Sequence, residues 1–394
     1  MATAVLDLEL TSLPADVELP ERYSAALVLV RFRGRPVGKA TLPVVDGRIA
    51  APDLAGELIS AAGWRLWEVF LADEVELWDG RLPVPEPSVT VAVCSRDRPD
   101  DLRACLRALS GLEHEGHEVL VIDNAPSDSA THAVTADFPT VRYVLEQEPG
   151  LNRARQRALC ESRREVVAFV DDDARPDPGW LGPLLRGFAD PLVLCTTGLA
   201  MPSELETPAQ EQFERLAPFG RGFRPRVFES PPHRAVVGGH AGAGVNMAVR
   251  RSVLDLLGGF DEALDAGTPT KSGGDNDLFT RVLARGYRIA YEPDALVWHR
   301  HRRTDEELRA AIYGYGVGVF AAWTRALVCD HELGAAVAAF RWFWRNQLRS
   351  LGRSLLRRPG AIPLRLQLAE LHGCAVGPGA YFRSRRRVAA GRTA

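Results

Sequence analysis

Between residues 88 and 171 the chain alternates short apolar runs with helical stretches, and this alternation constrains the fold more than any other feature. Each run has the length of a buried strand, and each is followed by a polar loop. The predicted strands are Val89–Cys94, Glu118–Ile122, Val141–Leu145 and Val166–Val170, and the predicted helices lie near Asp100–Leu109 and Asn152–Ser162. Strands joined by crossover helices pair in parallel. The sequence therefore predicts an α/β fold with a mostly parallel sheet and flanking helices.

Regions of different character lie on either side of this pattern. Residues 1–84 are predicted to form a small N-terminal α+β unit, with strands at Ala25–Arg31 and Lys39–Val45 and a helix near Asp53–Ala62. The Pro-rich run at 83–87 is predicted to be a stiff linker. Residues 85–304 form the α/β domain, which continues through a strand at Val245–Val249 and a helix at Asp275–Arg285. Residues 305–394 are predicted to be a helical, basic C-terminal region, helical to about Leu371 and poorly ordered over the last twenty residues.

The composition is that of a soluble globular protein, with 46% hydrophobic and 25% charged residues. The first ten residues lack the basic and apolar segments of a signal peptide, and no run of 18 uninterrupted apolar residues occurs. The six cysteines form no C-x-x-C pair, which favours core packing in a reducing compartment. We therefore expect a cytoplasmic protein without a nucleic-acid partner, and we leave homo-oligomerisation open.

Positive charge is concentrated near the C-terminal end. From Arg341 onward there are twelve arginines and one acidic residue, although the whole chain has a net charge of −3. Five arginines recur every four residues, and four aromatic residues lie at the start of the series: Arg341, Arg345, Arg349, Arg353 and Arg357, with Phe340, Trp342, Phe343 and Trp344. Arginines beside aromatic residues suit an anionic membrane surface, which is one predicted partner. The alternative is a solvated helix face whose aromatic residues pack onto the body of the protein.

Acidic residues follow three of the predicted strands. Asp97 comes after the first strand, Asp123 ends the second and the run Asp171-Asp172-Asp173 ends the fourth. Ligands of open α/β sheets bind at the carboxyl ends of the strands. Carboxylates gathered there repel one another, and their hard oxygen atoms suit Mg²⁺ or Mn²⁺, which in turn binds a diphosphate. The alternative is that the aspartates stabilise the first turn of a helix.

Six stretches together resemble the family 2 glycosyltransferases of the GT-A fold. They occur in the family's order over residues 88–300, about half of the chain: VTVAVCSRDRPDDLRACLRALSGL, VLVIDNAPSD, PGLNRARQRAL, VVAFVDDDARPDPGWL, GAGVNMAVRR and GGDNDLFTRVLARGYRIAYEPDALVWH. The resemblance implies an inverting transfer of a sugar from a nucleotide-diphosphate sugar to an acceptor hydroxyl, assisted by Mn²⁺ or Mg²⁺.

The resemblance also implies roles for residues on the donor side. Asp123 matches the acidic residue that reads the nucleobase, and Asp97 lies in the first nucleotide-binding loop. Arg155 falls in the helix that commonly faces the nucleotide. Asp171 and Asp173 match the D-x-D motif that holds the metal, and Asp172 is assigned to the ribose.

On the acceptor side, the family usually carries a Glu-Asp pair before a helix, and here Gly274 replaces the glutamate. Asp275 matches the general base, with Asp277 as the second candidate and a substrate-binding residue. His299 matches a histidine that reaches the metal. The Gly-rich stretch with His240 and Asn246 is placed beside the acceptor by the same resemblance.

Several questions of function stay open at this point. A uracil or thymine donor is favoured, because a carboxylate such as Asp123 accepts the N3–H of either base, while guanine remains possible. The acceptor is a glycan, a lipid-linked sugar or a small molecule. A sugar-phosphate nucleotidyltransferase is an alternative, although the loop after the first strand, residues 94–98, lacks the glycines that hold a triphosphate. A non-catalytic glycan-binding relative is a third possibility.

Overall fold

The computed structural model describes residues 2–49, 53–76, 86–229, 238–356, 358 and 360–391. The first part of the predicted linker, residues 83–85, lies outside this range, as does Arg357 of the arginine series. The division of the chain at residues 84 and 304 remains a prediction.

The N-terminal unit is a four-stranded sheet covered by two helices. Its strands are β1 (Ala2–Glu9), β2 (Tyr23–Phe32), β3 (Arg35–Val45) and β4 (Arg48–Ile49), in that spatial order, and its helices are α1 (Leu54–Ala62) and α2 (Trp64–Glu76). The predicted strands lie within β2 and β3, and the predicted helix is α1. Strand β1 and helix α2 were not predicted from the sequence. Leu27 and Leu29 of β2 pack against Leu199 and Leu296 of the large sheet, which attaches the unit to the rest of the protein.

The large sheet has nine strands, eight of which follow the order β11-β13-β10-β12-β8-β5-β6-β7, while β9 pairs with β13. They are β5 (Val89–Ser95), β6 (Glu118–Asn124), β7 (Val141–Glu146), β8 (Val166–Asp171), β9 (Ala174–Pro176), β10 (Val193–Pro202), β11 (Arg226–Phe228), β12 (Asn246–Arg250) and β13 (Arg288–His299). The four strands predicted from the alternation, β5 to β8, form one parallel block. Strand β12 runs antiparallel between β8 and β10, and β10 pairs in parallel with β13.

Helices cover both faces of this sheet. They are α3 (Pro99–Leu109), α4 (Ala130–Ala136), α5 (Leu151–Glu161), α6 (Leu181–Arg186), α7 (Pro208–Leu216), α8 (Val253–Leu257) and α9 (Gly274–Ala284). Because successive side chains of a strand point to opposite faces, Val91 and Val93 join the core beneath α3, whereas Ala92 joins the core beneath α5. Both faces are therefore apolar, and the polar ends of β5, β6 and β8 come together at one edge.

The C-terminal region is helical almost throughout. It contains α10 (Asp305–Cys329), α11 (Gly334–Trp342), a π-helical turn at Phe343–Leu348, α12 (Arg349–Leu355) and α13 (Leu364–Gly391). The predicted disorder of the last twenty residues is wrong over the described residues up to 391. Helix α13 continues because Ala380 and Tyr381 are buried, and Tyr381 packs with Leu264 and Ala321. The glycines and Pro378 in its sequence concealed this buried face.

Helix α10 has the length and hydropathy of a membrane span, with a mean hydropathy of 1.2, and half of its most apolar window is buried inside the protein. It packs closely against α13. A Cβ atom at Gly316 would lie 2.4 Å from the carbonyl oxygen of Glu370, and one at Gly373 would lie 2.2 Å from that of Tyr313. Small residues therefore allow the two backbones to approach each other closely. This packing within the protein accounts for the apolar character of α10.

Helix α10 also supports the turn that begins α9, and this contact can be tested. A Cβ atom at Gly318 would lie 2.5 Å from the backbone of Ser272. We expect Gly318→Ala to lower the free energy of unfolding by about 1–3 kcal/mol, as overpacking does, measured by chemical denaturation. Gly352→Ala in α12 is the control, because nothing lies within 4 Å of its added methyl group, and it should stabilise by roughly 0.5–1 kcal/mol. Equal stability of the Gly318 variant and the parent would contradict this packing.

Candidate active site

A pocket of about 260 Å³ opens where β5, β6 and β8 end. The predicted run Asp171–Asp173 lines it, together with residues of five other segments. These are residues 94–96 and Arg98 at the end of β5 and just after it, Asn124 at the end of β6, Leu151 at the start of α5, Ala266 and Gly267 from the loop before α9, and Arg302 after β13. The pocket therefore lies at the sheet edge that the strand pattern predicted.

The three aspartates have different surroundings. Asp172 accepts a hydrogen bond from Ser95 Oγ at 2.8 Å, and burial together with the neighbouring Asp173 raises the pKa of Asp172 to about 7. Burial also raises the pKa of Asp171. For Asp173, burial acts in the same direction, but His299 and two arginines hold its pKa below the ordinary value. Asp173 is thus the most strongly stabilised anion of the run.

Two arginines of the pocket were not predicted. Arg98 Nη1 lies 3.2 Å from Asp172 Oδ1 and 3.1 Å from Asp173 Oδ2, and Arg302 Nη1 lies 3.3 Å from the same Asp173 oxygen. The sequence feature that could have identified Arg98 is its place in the loop Ser95-Arg96-Asp97-Arg98, directly after a predicted strand. For Arg302, that feature is the basic run that follows His299. Both side chains are partly exposed, so they present positive charge to the pocket.

Arg155 is buried beneath the aspartates and contacts two of the carboxylates around it. Its Nη1 lies 2.9 Å from Asp265 Oδ2 and its Nη2 lies 3.6 Å from Asp171 Oδ1. Burial alone would lower the pKa of Arg155, but Asp265, Asp171 and Asp275 raise it. The prediction placed Arg155 toward the nucleotide, whereas the structure gives its guanidinium to Asp171 and to Asp265, a residue that the sequence analysis missed. Asp265 has a φ of +83°, a conformation that the pattern of apolar residues does not reveal.

Asp275 lies in the first turn of α9, close to this arginine. Its Oδ2 accepts a hydrogen bond from the backbone N–H of Gly244 at 2.8 Å, and its side chain is partly exposed. A Cβ atom at Gly244 would lie 2.7 Å from Arg155 Nη2 and 3.3 Å from the Cβ of Asp275. Gly244 thus lets the candidate base lie beside Arg155, which in turn contacts Asp171.

The absence of a side chain at Gly274 has a structural reason. A Cβ atom there would lie 2.2 Å from Asn152 Oδ1 and 2.4 Å from Asp265 Oδ2. The space next to Asp275, which a glutamate at residue 274 would enter, is filled by the carboxylate of Asp265. A second acidic group therefore lies near Asp275, supplied by the preceding loop.

Two of the predicted substrate-binding residues have structural partners instead. Asp277 is almost completely buried, with Oδ2 2.8 Å from Arg281 Nη2 and Oδ1 3.1 Å from Arg325 Nε. Asn246 is in the core, where its amide accepts from Trp180 Nε1 and donates to the carbonyl oxygens of two strands, at 2.7–2.9 Å. The folded chain already uses these polar atoms, and the assignment of Asp277 and Asn246 to substrate stays a prediction.

The other predicted binding residues lie around the pocket without lining it. Asp97 accepts hydrogen bonds from the backbone and hydroxyl of Ser127, at 2.8 and 2.9 Å, and these lower its pKa. Asp123 is fully buried and accepts from the Tyr143 hydroxyl at 2.8 Å. Burial raises the pKa of Asp123, although the Tyr143 hydrogen bond opposes this shift. His240 is exposed on a 3-10 turn, Gly238–His240, that packs beside the start of α9.

The predicted metal ligands are brought together in part. His299 Nε2 lies 3.3 Å from Asp173 Oδ1, and Asp171 points to Arg155 on another side. Among the residues that the structure describes, no group of three or more His, Cys, Asp or Glu side chains is placed to hold a metal ion by itself. Carboxylate oxygens and an imidazole nitrogen are nevertheless suitable donors for Mn²⁺ or Mg²⁺, and such ions commonly complete their coordination with substrate phosphates and water. The donor chemistry therefore fits a cation shared with a diphosphate.

The buried position of Arg155 makes its charge essential to the fold. We expect Arg155→Met to lower the free energy of unfolding by about 3–5 kcal/mol, because it leaves buried carboxylates without a counter-ion. The control on the same helix is Arg157→Met, which removes an exposed pair with Glu161 and should cost no more than about 0.5 kcal/mol.

The loss in Arg155→Met should also depend on pH. Burial already raises the pKa of Asp265, and removal of the arginine raises it further. The folded variant then binds this proton more tightly than the unfolded chain, so its deficit in stability should shrink as the pH falls from neutral toward the ordinary aspartate range. Denaturation curves at several pH values measure this, and a deficit that grows with acid would contradict it.

Comparison with known proteins is consistent with this geometry. The family described as Glycosyl transferase family 2 matches residues 90–257. The pre-mycofactocin glycosyltransferase of Mycobacterium tuberculosis is 33% identical over 306 residues, which are 68% of this chain and 61% of that protein. Glycosyltransferase AglE of Haloferax volcanii is 26% identical over 251 residues, 60% of this chain and 74% of that protein.

A solved structure supports the fold. The mannosyltransferase PcManGT from Pyrobaculum calidifontis, determined in complex with GDP-Man and Mn²⁺, superposes with a TM-score of 0.52 at 18% sequence identity, covering 78% of this chain and 94% of that one. The match confirms the predicted α/β architecture. Residues 90–257 therefore form a glycosyl transferase family 2 domain, and the chain has a GT-A fold.

Proposed function

We propose that this protein is an inverting glycosyltransferase that moves a sugar from a nucleotide-diphosphate sugar to an acceptor hydroxyl. One observation carries the proposal. Arg155 contacts Asp171 at the end of β8 and lies next to Asp275 at the start of α9. A donor-side carboxylate and a candidate base are thus held at neighbouring positions by one buried cation, which is the arrangement that a transfer between two bound substrates requires.

The donor's diphosphate would lie against Arg98 and Arg302, whose guanidinium groups line the pocket. Mn²⁺ or Mg²⁺ would be held by Asp173 with Asp171 and His299, and it would stabilise the charge of the departing nucleoside diphosphate. The nucleoside would lie toward Asp97 and Asp123. We retain UDP- and dTDP-sugars as the favoured donors, and GDP-sugars enter the test because the structural relative binds GDP-Man.

Asp275 would act as the general base. Its carboxylate accepts the proton of the acceptor hydroxyl while that oxygen forms a bond to the anomeric carbon, and the bond from this carbon to the diphosphate oxygen breaks on the opposite face. The Gly244 N–H at 2.8 Å fixes the orientation of the carboxylate. The glycosyltransferase names of the relatives disfavour the nucleotidyltransferase alternative and a non-catalytic role.

Two substitutions separate donor binding from turnover. Asp173→Asn should weaken metal-dependent binding of the nucleotide donor, whereas Asp275→Asn should leave binding intact and lower turnover by about 10²–10⁴-fold, the usual contribution of a general base. Thermal-shift measurements with UDP-, dTDP- and GDP-sugars, with and without Mn²⁺, identify the donor and measure its binding, and product formation measures turnover. Asp255→Asn, an exposed aspartate on α8, is the control. Full activity of both site variants would overturn the assignment.

We further propose that the enzyme works at an anionic membrane surface. From α11 to α12, exposed apolar residues follow one helix face at intervals of three or four residues, first Leu333 and Val337, then Phe340, Trp344 and Leu348. Exposed arginines follow most of them by one residue, at Arg341, Arg345 and Arg349. Trp342 instead packs against Phe320 and Trp323, so the aromatic residues divide between the two predicted environments.

Such a face fits a lipid surface better than a second copy of the chain, because a second copy would bring two arginine rows together. Apolar side chains can enter the interfacial region while neighbouring arginines bind anionic headgroups. A lipid-linked acceptor would be presented at the same surface. The cytoplasmic location predicted from the sequence is kept as part of this proposal.

Sedimentation with lipid vesicles tests the surface. The protein should bind vesicles containing phosphatidylglycerol at low salt and bind phosphatidylcholine vesicles weakly, and Trp344→Ser together with Arg345→Gln should weaken the binding several-fold. Trp64→Ser is the matched control. Trp64 on α2 and Trp344 in the π-helical turn before α12 are similarly exposed, at 67% and 61%. A parent protein that ignores anionic vesicles would contradict the proposal.

A further inference from the structure

A row of four polar contacts connects the N-terminal unit to the candidate metal site. Lys39 Nζ on β3 lies 2.7 Å from Glu214 Oε1 on α7. Glu214 Oε2 lies 3.1 Å from His301 Nε2, and His301 Nδ1 lies 3.1 Å from His299 Nδ1. His299 Nε2 then lies 3.3 Å from Asp173 Oδ1. The row begins on a partly exposed lysine and ends at the most stabilised aspartate of the pocket.

The two histidines in this row are held rigidly. Both are buried, with 4% of His299 and 3% of His301 exposed. The ring of Phe213 lies 4.5 Å from that of His301, centroid to centroid, and the ring of Phe219 lies 5.0 Å from that of His299. Aromatic neighbours limit rotation of the imidazoles, so the positions of their nitrogen atoms are set by the fold.

The chemistry of the groups gives the row a direction. Lys39 and His301 oppose the effect of burial and hold the pKa of Glu214 below its ordinary value, so Glu214 is a carboxylate that can only accept hydrogen bonds. His301 Nε2 must therefore carry a proton to donate. In a neutral imidazole the other nitrogen is then bare, and His301 Nδ1 accepts from His299 Nδ1–H. This arrangement holds a proton on His299 Nδ1, so that Nε2 is the nitrogen that can coordinate a cation beside Asp173.

We propose that Glu214 is a positioning residue that selects the tautomer of His299, and that Lys39 makes the N-terminal unit part of this control. The inference builds on the proposed function, in which His299 binds the cation through Nε2. Metal-binding histidines generally depend on a hydrogen-bond partner at their second nitrogen. Here that partner is a second histidine, which is oriented by a carboxylate on a different element. The N-terminal unit thereby acquires a role in the site without contacting substrate.

Three substitutions test the row in the full-length protein. Glu214→Leu removes the acceptor, Glu214→Gln keeps an acceptor oxygen, and Lys39→Met removes the contribution of the N-terminal unit. Mn²⁺ affinity is measured by electron paramagnetic resonance in the presence of UDP or GDP. We expect about 10–100-fold weaker binding in Glu214→Leu, the usual range for loss of such a partner, a smaller loss in Lys39→Met, and near-parental affinity in Glu214→Gln.

Nitrogen-15 NMR of histidine-labelled protein provides a readout that does not need the metal. The signals of His299 are assigned with His299→Gln. In the parent protein, Nδ1 of His299 should carry a proton. In Glu214→Leu, His301 is free to reverse, so His299 should lose its Nδ1 proton and carry its proton on Nε2 instead, directed at Asp173.

The control is Glu211→Leu, one turn earlier on α7. Glu211 also bonds the N-terminal unit, through Thr3 Oγ1 at 2.5 Å, but it does not contact His301. It should change neither Mn²⁺ affinity nor the His299 signals. If Glu214→Leu retains both the parental affinity and the Nδ1 proton, the inference is overturned. If the parent protein binds no Mn²⁺, the metal part of the proposed function fails, and the NMR result alone then decides the role of Glu214.

Discussion

Repulsion between buried carboxylates at the end of β8 is the constraint on which the rest of the site depends. Asp171, Asp172 and Asp173 lie at a sheet edge whose strands are buried on both faces, so water screens their charges poorly. Burial, together with the neighbouring Asp173, raises the pKa of Asp172, although Arg98 and Ser95 act in the opposite direction. Arg155 beneath the run and Arg98 and Arg302 above it supply compensating charge from three separate segments. Helix α5 holds Arg155 in place, and the segments that follow β5 and β13 hold Arg98 and Arg302 at the pocket.

The same constraint explains why the acceptor side is built as it is. Arg155 is shared between Asp171, Asp265 and the neighbourhood of Asp275, so donor-side and acceptor-side charges are balanced by one buried group. Gly244 and Gly274 leave the space that this sharing requires. Asp265 then provides a carboxylate where the family's usual glutamate is missing. The carboxylate that Gly274 lacks is thus supplied in space by Asp265, nine residues earlier in the chain.

The fold could be predicted from the sequence where local patterns are strong. The four strands of the parallel block, the helices α3 and α5 and the convergence of acidic residues at one edge all follow from alternating apolar runs and from the geometry of parallel sheets. Local patterns do not reveal a polar residue that the fold itself uses. Asn246 bonds two strands and Trp180, and Asp277 pairs with Arg281 and Arg325. Motif matching cannot distinguish such residues from binding residues, because both are polar and both lie near the site.

By itself, the sequence determined the fold class, the edge of the sheet at which the acidic residues converge and the resemblance to glycosyl transferase family 2, because these depend on the periodicity of neighbouring residues and on short motifs. The tertiary structure alone decided which charges meet. The partners of Asp171 to Asp173 come from residues 98, 155 and 302, and the row that ends at Asp173 begins at Lys39 in the N-terminal unit. Pairings over such sequence distances are set by how β5, β8, β13 and α7 pack together, and no local pattern records them. Coulombic interactions depend on distance in space, so their partners become known only when the chain is folded.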